Sequence, residues 1–254
     1  MNGAYRFRAP NVEVFSVERT AGRVTNRSTV IWNKHAYNAG TLLSQHHLPH
    51  VLQQRQETRY EGVVGPLNKW VDEVRVATRE SVPYFDPRAA TQGADVLVLL
   101  QDPSGEAQLG SGFISRDNND PTAHNSSLAA EAGGLPYSRS LHWNVVPWWV
   151  ANPAFPQRTL AAEARRAAPL LAELMELLES RPKVVLLLGK QAQAAWSQLL
   201  LRASPELKSL LVITAPHPSP LAYNKTDAVT GKPNKELLNE AFSRAAALSL
   251  ANSV

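Results

Sequence analysis

The chain has 254 residues, 44% of them hydrophobic and 19% charged, with a net charge of +4; that length can bury one sizeable core, with or without an appended arm. It contains no cysteine, which excludes disulfides, thiolate zinc sites, a cysteine nucleophile and a cysteine-held iron–sulfur cluster. No apolar run approaches the roughly 18 residues of a membrane span, and Met1 to Arg8 has no signal-peptide character, so the expected location is the cytoplasm.

The charge is unevenly placed. Residues 1–60 hold eight Lys or Arg against three Glu, while residues 61–254 hold eighteen against nineteen acids. Residues 1–65 are therefore expected to be a basic N-terminal extension, readable as a polyanion-binding appendage or as a solvated tail. Residues 66–254 are expected to be the folded domain. Within the extension, Val12 to Glu18 alternates at period two and Val24 to Trp32 partly does, which suggests a hairpin. His46, His47 and His50 lie close together, but Pro49 interrupts any helix that would align them and no carboxylate is near in sequence, so no metal is expected.

From Gly65 the reading is clearer. Gly65 to Ala77 predicts a helix whose apolar face is Leu67, Trp70, Val71 and Val74, with Pro66 in its first turn. Val82 to Pro87 is an extended lead-in. Val96 to Leu100 is five apolar residues in a row, as in a strand buried on both faces. It is ended at once by Gln101-Asp102-Pro103-Ser104-Gly105. A carboxylate there lies where open α/β sheets hold their ligands, although on this segment alone Asp102 reads first as a turn or helix cap. Ser104 to Ser127 reads as one long polar loop, followed by a short helix to Gly133.

Leu141 to Trp148 predicts a second strand. Thr159 to Ser180 is an amphipathic helix that Pro169 should kink or split. Lys183 to Gly189 is a third strand, leading through Lys190 into a helix over Gln191 to Leu201. Leu210 to Ala215 is a fourth strand, opening into Pro216-His217-Pro218-Ser219-Pro220-Leu221, and Asn234 to Ala251 is a closing helix. Strand, loop and helix thus recur four times. The expected fold is a single α/β domain with a central, mainly parallel, four-stranded sheet flanked by helices.

Each strand ends in a distinctive loop at one edge of the sheet: Gln101-Asp-Pro-Ser-Gly105, Trp143-Asn-Val-Val-Pro-Trp148, Gly189-Lys190 and His217-Pro-Ser-Pro-Leu221. Together, in this order, they resemble the uracil-DNA glycosylase superfamily over roughly residues 66–250. The resemblance implies a monofunctional enzyme that flips uracil, with other modified bases as further candidates, out of DNA and hydrolyses its glycosidic bond, leaving an abasic site. It implies that Asp102 stabilises the sugar cation and that a neutral His217 stabilises the departing base. Asn144 would read the base edge by its amide, and Phe113 would stack on the base, with Gln101 and Ser104 at the pocket. Thr122 and His124 of a proline-containing loop, together with Gly189, Lys190 and Ser219, would contact DNA, and Leu221 would fill the vacated stack. Plainer readings stand beside these: a turn asparagine, a loop histidine, a core phenylalanine and a core leucine.

The chain departs from the uracil-specific branch, where a tyrosine after Gln-Asp-Pro blocks the thymine methyl; here Ser104 and Gly105 stand instead. A roomier pocket is therefore expected. No cofactor is expected, the expected partner is DNA containing uracil or abasic sites, and a monomer is expected, associated with the nucleoid of a bacterial-type cell through its DNA. Two other readings compete: a non-catalytic binder of abasic or damaged DNA on the same scaffold, and an unrelated α/β nucleotide hydrolase. The second needs an acidic metal site, and the close pair Asp117 and Asp120 is not at a strand end.

Overall fold

The computed structural model describes residues 30–178 and 182–251. The hairpin expected over residues 12–32 lies almost wholly outside them. A compact unit spans Ile31–Val254. Residues 31–65, assigned above to the extension, thus fold with the domain: α1 (Lys34–Asn38) and α2 (Pro49–Glu57) precede α3 (Val64–Thr78), and Leu42, Leu43, Val51 and Leu52 are buried. What binds them in is ionic as well as apolar. Arg55 of α2 meets Asp86 at 2.8 Å and Asp117 at 3.4 Å, and Arg88 meets Asp117 at 2.8 Å. A buried carboxylate needs such partners, and these are far away in sequence.

The central sheet has the order β4-β2-β5-β6, all parallel: β2 (Val96–Leu100), β4 (Ser140–Asn144), β5 (Val184–Leu188) and β6 (Leu211–Ala215). Alternation at period two divides its side chains between two cores. Leu97, Leu99, Leu141, Trp143, Val185 and Leu187 pack with α3, α5 (Leu160–Leu177) and α6 (Lys190–Leu200). Val96, Val98, Val184, Leu186 and Ile213 pack on the other face with α4 (Pro121–Ala132) and α9 (Asn234–Ala251). Both faces of the sheet are thus covered, which explains the continuous apolar runs. The crossover from β2 runs through α4 on one face, and that from β4 runs through α5 on the other. Such a reversal opens a crevice at the carboxyl ends of the strands.

Three elements differ from expectation. The polar stretch after Asp102 is not one loop. It holds a π-helical turn at Glu106–Ser111 and a short β3 (Phe113–Ile114) that pairs in parallel with β1 (Tyr84–Phe85). α4 then starts at Pro121 rather than Ser127, because Asp120 caps it by accepting the Ala123 N–H at 2.9 Å and Pro121 fits the first turn. Finally, α5 is not split at Pro169. One missing hydrogen bond is outweighed there by the buried face of Ala167, Leu171, Leu174 and Met175. Among the described residues, no helix is long and apolar enough to cross a membrane.

Candidate active site

Asp102 follows the C-terminal end of β2. Pairing with β4 persists just beyond both strands, through Val145 N–H to Leu100 O at 3.0 Å and Val146 N–H to Gln101 O at 2.9 Å. This fixes the backbone from which the carboxylate projects. Its Oδ1 accepts from the Gln101 amide at 2.8 Å, and its Oδ2 accepts from the Val150 N–H at 3.0 Å. Burial pushes the Asp102 carboxyl above the usual carboxylate range, against the lowering effect of those two bonds.

His217 follows β6. Its Nδ1 accepts the Ser219 N–H at 3.1 Å. An accepting Nδ1 carries no proton, so the neutral ring holds its proton on Nε2 as a donor. Burial lowers the ring's pKa to about 4, so the imidazole is neutral at physiological pH. Two contacts hold the loop. The Asn125 amide of α4 donates to Pro218 O at 2.7 Å. Gly189 has φ of +90°, and a Cβ there would stand 2.9 Å from the His217 Cβ. Only glycine allows both that backbone and that approach.

Asn144, the last residue of β4, is 4% exposed. Among the described residues nothing hydrogen-bonds its side-chain amide. Asp102, Asn144 and His217 line one cavity of about 270 Å³, shared with Ser104, Thr122 and Trp149. The volume is near the lower end of small-ligand clefts, roughly 300–1,000 Å³. Three polar groups distant in sequence therefore meet at the carboxyl edge of the sheet. One is a carboxyl whose burial two N–H donors oppose, one is an N–H donor, and one is an amide with both functions.

The other expected site residues are distributed as follows. Gln101 acts on Asp102 rather than lining the cavity. The Ser104 hydroxyl is engaged, donating to Asp120 at 3.1 Å and accepting the Ala107 N–H at 3.1 Å. Phe113 is not at the cavity. It is fully buried in the core, its ring 6.2 Å from that of Tyr84, because pairing of β3 with β1 turns it inward and leaves Ile114 on the cavity wall. His124 is outside the cavity too, with Nδ1 3.4 Å from Asn33 Oδ1. Gly189 and Lys190 line a neighbouring groove that shares His217. Leu221 heads the short α8 (Pro220–Tyr223) and is 76% exposed.

Several contributors escaped sequence reasoning. His142 is on the cavity wall two residues before Asn144, on the same face of β4, and burial lowers its pKa to about 3. Ser140, His142 and Asn144 form a polar period-two stripe inside an apparently apolar strand, a signal that was available. Asn125 and Trp149 gave no comparable signal. Among the described residues, no three His, Cys, Asp or Glu side chains group as metal ligands.

The model of the uracil DNA glycosylase superfamily matches residues 87–244. The chain belongs to the uracil DNA glycosylase superfamily. That places it among DNA glycosylases acting on DNA, and the matched span contains every cavity-lining residue named above. A search of curated proteins found no match.

Proposed function

We propose that this superfamily member is a monofunctional uracil-DNA glycosylase of base excision repair. The observation that carries the reading is the convergence of Asp102, Asn144 and His217 on one cavity. In the proposed reaction an extruded uracil enters the cavity and the Asn144 amide pairs with its O4 and N3–H. The C1′–N1 bond breaks and its electron pair leaves with the base. The Asp102 carboxylate faces the resulting oxocarbenium-like sugar and orients water toward C1′. The water oxygen bonds to C1′ and gives its proton to the Asp102 carboxylate, which passes it to solvent, while the His217 Nε2–H donates a hydrogen bond to the base anion, which takes its proton from solvent.

Among the described residues lining the cavity there is no lysine. That favours hydrolysis by water over a Schiff-base lyase step. Thr122, Gly189, Lys190 and Ser219 would hold phosphates beside the cavity, and exposed Leu221 would enter the base stack.

The test is incubation of the protein with single- and double-stranded oligonucleotides containing one uracil. Free uracil is read by mass spectrometry and abasic sites by alkaline cleavage. Uracil release is expected. A folded protein that binds these strands and abasic DNA but releases nothing overturns the enzymatic reading in favour of a DNA-binding one.

A further inference from the structure

The pocket expected from Ser104 and Gly105 was a roomy one. In the structure that space is filled from another loop. A Cβ placed on Gly105 would lie 3.0, 3.2 and 3.3 Å from three atoms of the six-membered ring of Trp149. Such distances are tighter than ordinary contact, so the indole packs closely against the Gly105 backbone. The smallness of residue 105 is thus the complement of a large residue at 149, not an opening.

The indole is also part of the cavity. Trp149 lines it beside Asp102, Ser104 and Ala107. With Phe113 turned into the core, Trp149 is the one Trp, Tyr or Phe among the described cavity-lining residues. Its place is set by its own backbone: the Trp149 N–H donates to Gln108 Oε1 at 2.8 Å, and the next N–H, of Val150, donates to Asp102 Oδ2 at 3.0 Å. The wall and the carboxylate are therefore registered to each other through one peptide unit. A planar, rigid ring fixed this way sets a limit on the width of a base in the cavity.

We infer that Trp149 is the specificity-determining wall of the base pocket, closing over Gly105 to exclude pyrimidines with a 5-substituent. The inference rests on the proposed glycosylase reading for its substrate and extends it to the residue that selects the base. A single methyl refused by a tight apolar wall is worth about 10–200-fold in discrimination. Wild-type protein is thus expected to act on uracil and to discriminate against thymine and larger 5-substituted uracils by at least about tenfold. In Trp149→Ala the thymine-to-uracil ratio rises toward one. Trp149→Phe, which keeps a ring, retains most of the discrimination.

Two readouts separate this inference from the functional reading beneath it. The first is base release from uracil, thymine-mismatch and 5-substituted oligonucleotides. The second is affinity for matched strands bearing 2′-fluoroarabino nucleosides of uracil or thymine, which resist cleavage. If no base is released yet wild type prefers the uracil strand and Trp149→Ala does not, the glycosylase reading fails and the wall stands. If wild type releases uracil and Trp149→Ala keeps the wild-type base ratio, the wall is refuted and the glycosylase reading stands. Wild type that treats uracil and thymine alike in both assays also refutes it. Should Trp149→Ala not fold, Trp149→Leu retains apolar cover without the ring, and the same ratios decide.

Discussion

Replacing Asp102 by asparagine separates catalytic from structural roles most cleanly. The change keeps size and shape. The Val150 N–H can still donate to the remaining carbonyl oxygen, and the Gln101 amide can turn to accept from the new NH2, so both anchoring bonds of the wild type are conserved in number. What disappears is one negative charge. A carboxylate about 4 Å from a developing unit positive charge, at an effective dielectric of about 20, stabilises it by about 4 kcal/mol. At about 1.36 kcal/mol per decade that is about 10³ in rate. Single-turnover uracil release should fall by about that factor while affinity for uracil-containing DNA stays close to wild type.

Stability supplies the second half of the same prediction. Burial raises the Asp102 pKa above its ordinary value. Between the two values the folded protein binds more proton than the unfolded chain, so stability falls as pH rises through that window. At neutral pH the ionised side chain is therefore a net cost to folding, and a neutral amide removes it. Asp102→Asn should melt at the same temperature as wild type or higher, a pattern typical of a site strained for activity. A variant keeping more than about a tenth of the wild-type rate, well short of the Coulomb figure, would refute the charge argument. A variant melting several degrees lower would show that the carboxylate serves the fold instead.

Three further outcomes follow from the site. The His217 pKa is lowered to about 4, so falling pH should leave the imidazole neutral well past its ordinary value of 6.5, and a His217→Asn variant should keep the same acid limb of kcat above about pH 5; a limb that disappears with the imidazole would mean its charged form takes part. Gly189→Ala places a side chain at a φ of +90° and against His217, costing on the order of 1–2 kcal/mol in urea unfolding, with kcat reduced beyond what residual unfolding explains; wild-type turnover would show that Gly189 does not set the histidine. Leu221→Ala, at a residue 76% exposed, should change stability by no more than about 0.5 kcal/mol yet lower uracil release from duplex more than from single strands, and equal effects on both would remove its role as a wedge.

The sheet was legible because its strands are buried on both faces, so Val96 to Leu100 and Val184 to Leu188 are unbroken apolar runs. The loops that follow them were legible because proline and glycine leave few conformations. Phe113 and Trp149 were not distinguishable in the same way. Each is an aromatic in a stretch without periodicity, and the two-residue pairing that turns Phe113 inward is too short to have a period. The start of α4 was written in Asp120-Pro121, but the surrounding Asn, Ser and Thr suggested a loop more strongly than the cap suggested a helix. Residues 31–65 were opaque for another reason. Their burial depends on Arg55 reaching Asp86 and Asp117, separations of 31 and 62 residues that no local pattern reveals.

Desolvation acts on Asp102 and His217 in the same sense, pushing each toward its neutral form, but the proposed reaction needs only one of them neutral. For His217 nothing further is required: the dry surroundings and the Ser219 N–H select the tautomer with its proton on Nε2. For Asp102 the ionised form must be kept against the same surroundings, and the Gln101 amide and Val150 N–H are what oppose its burial. Those two donors therefore control the charge on the carboxylate rather than its position alone. Gln101 directly follows β2 and Val150 lies in the loop beyond β4, so the charge that would face the sugar depends in part on the register between β2 and β4. A one-residue slip there would turn Asn144 to the opposite face of the sheet as well. Asp102 and the Asn144 amide are in this sense a single construction, whereas His217, reached across β5 and β6, is set independently by Gly189 and Asn125.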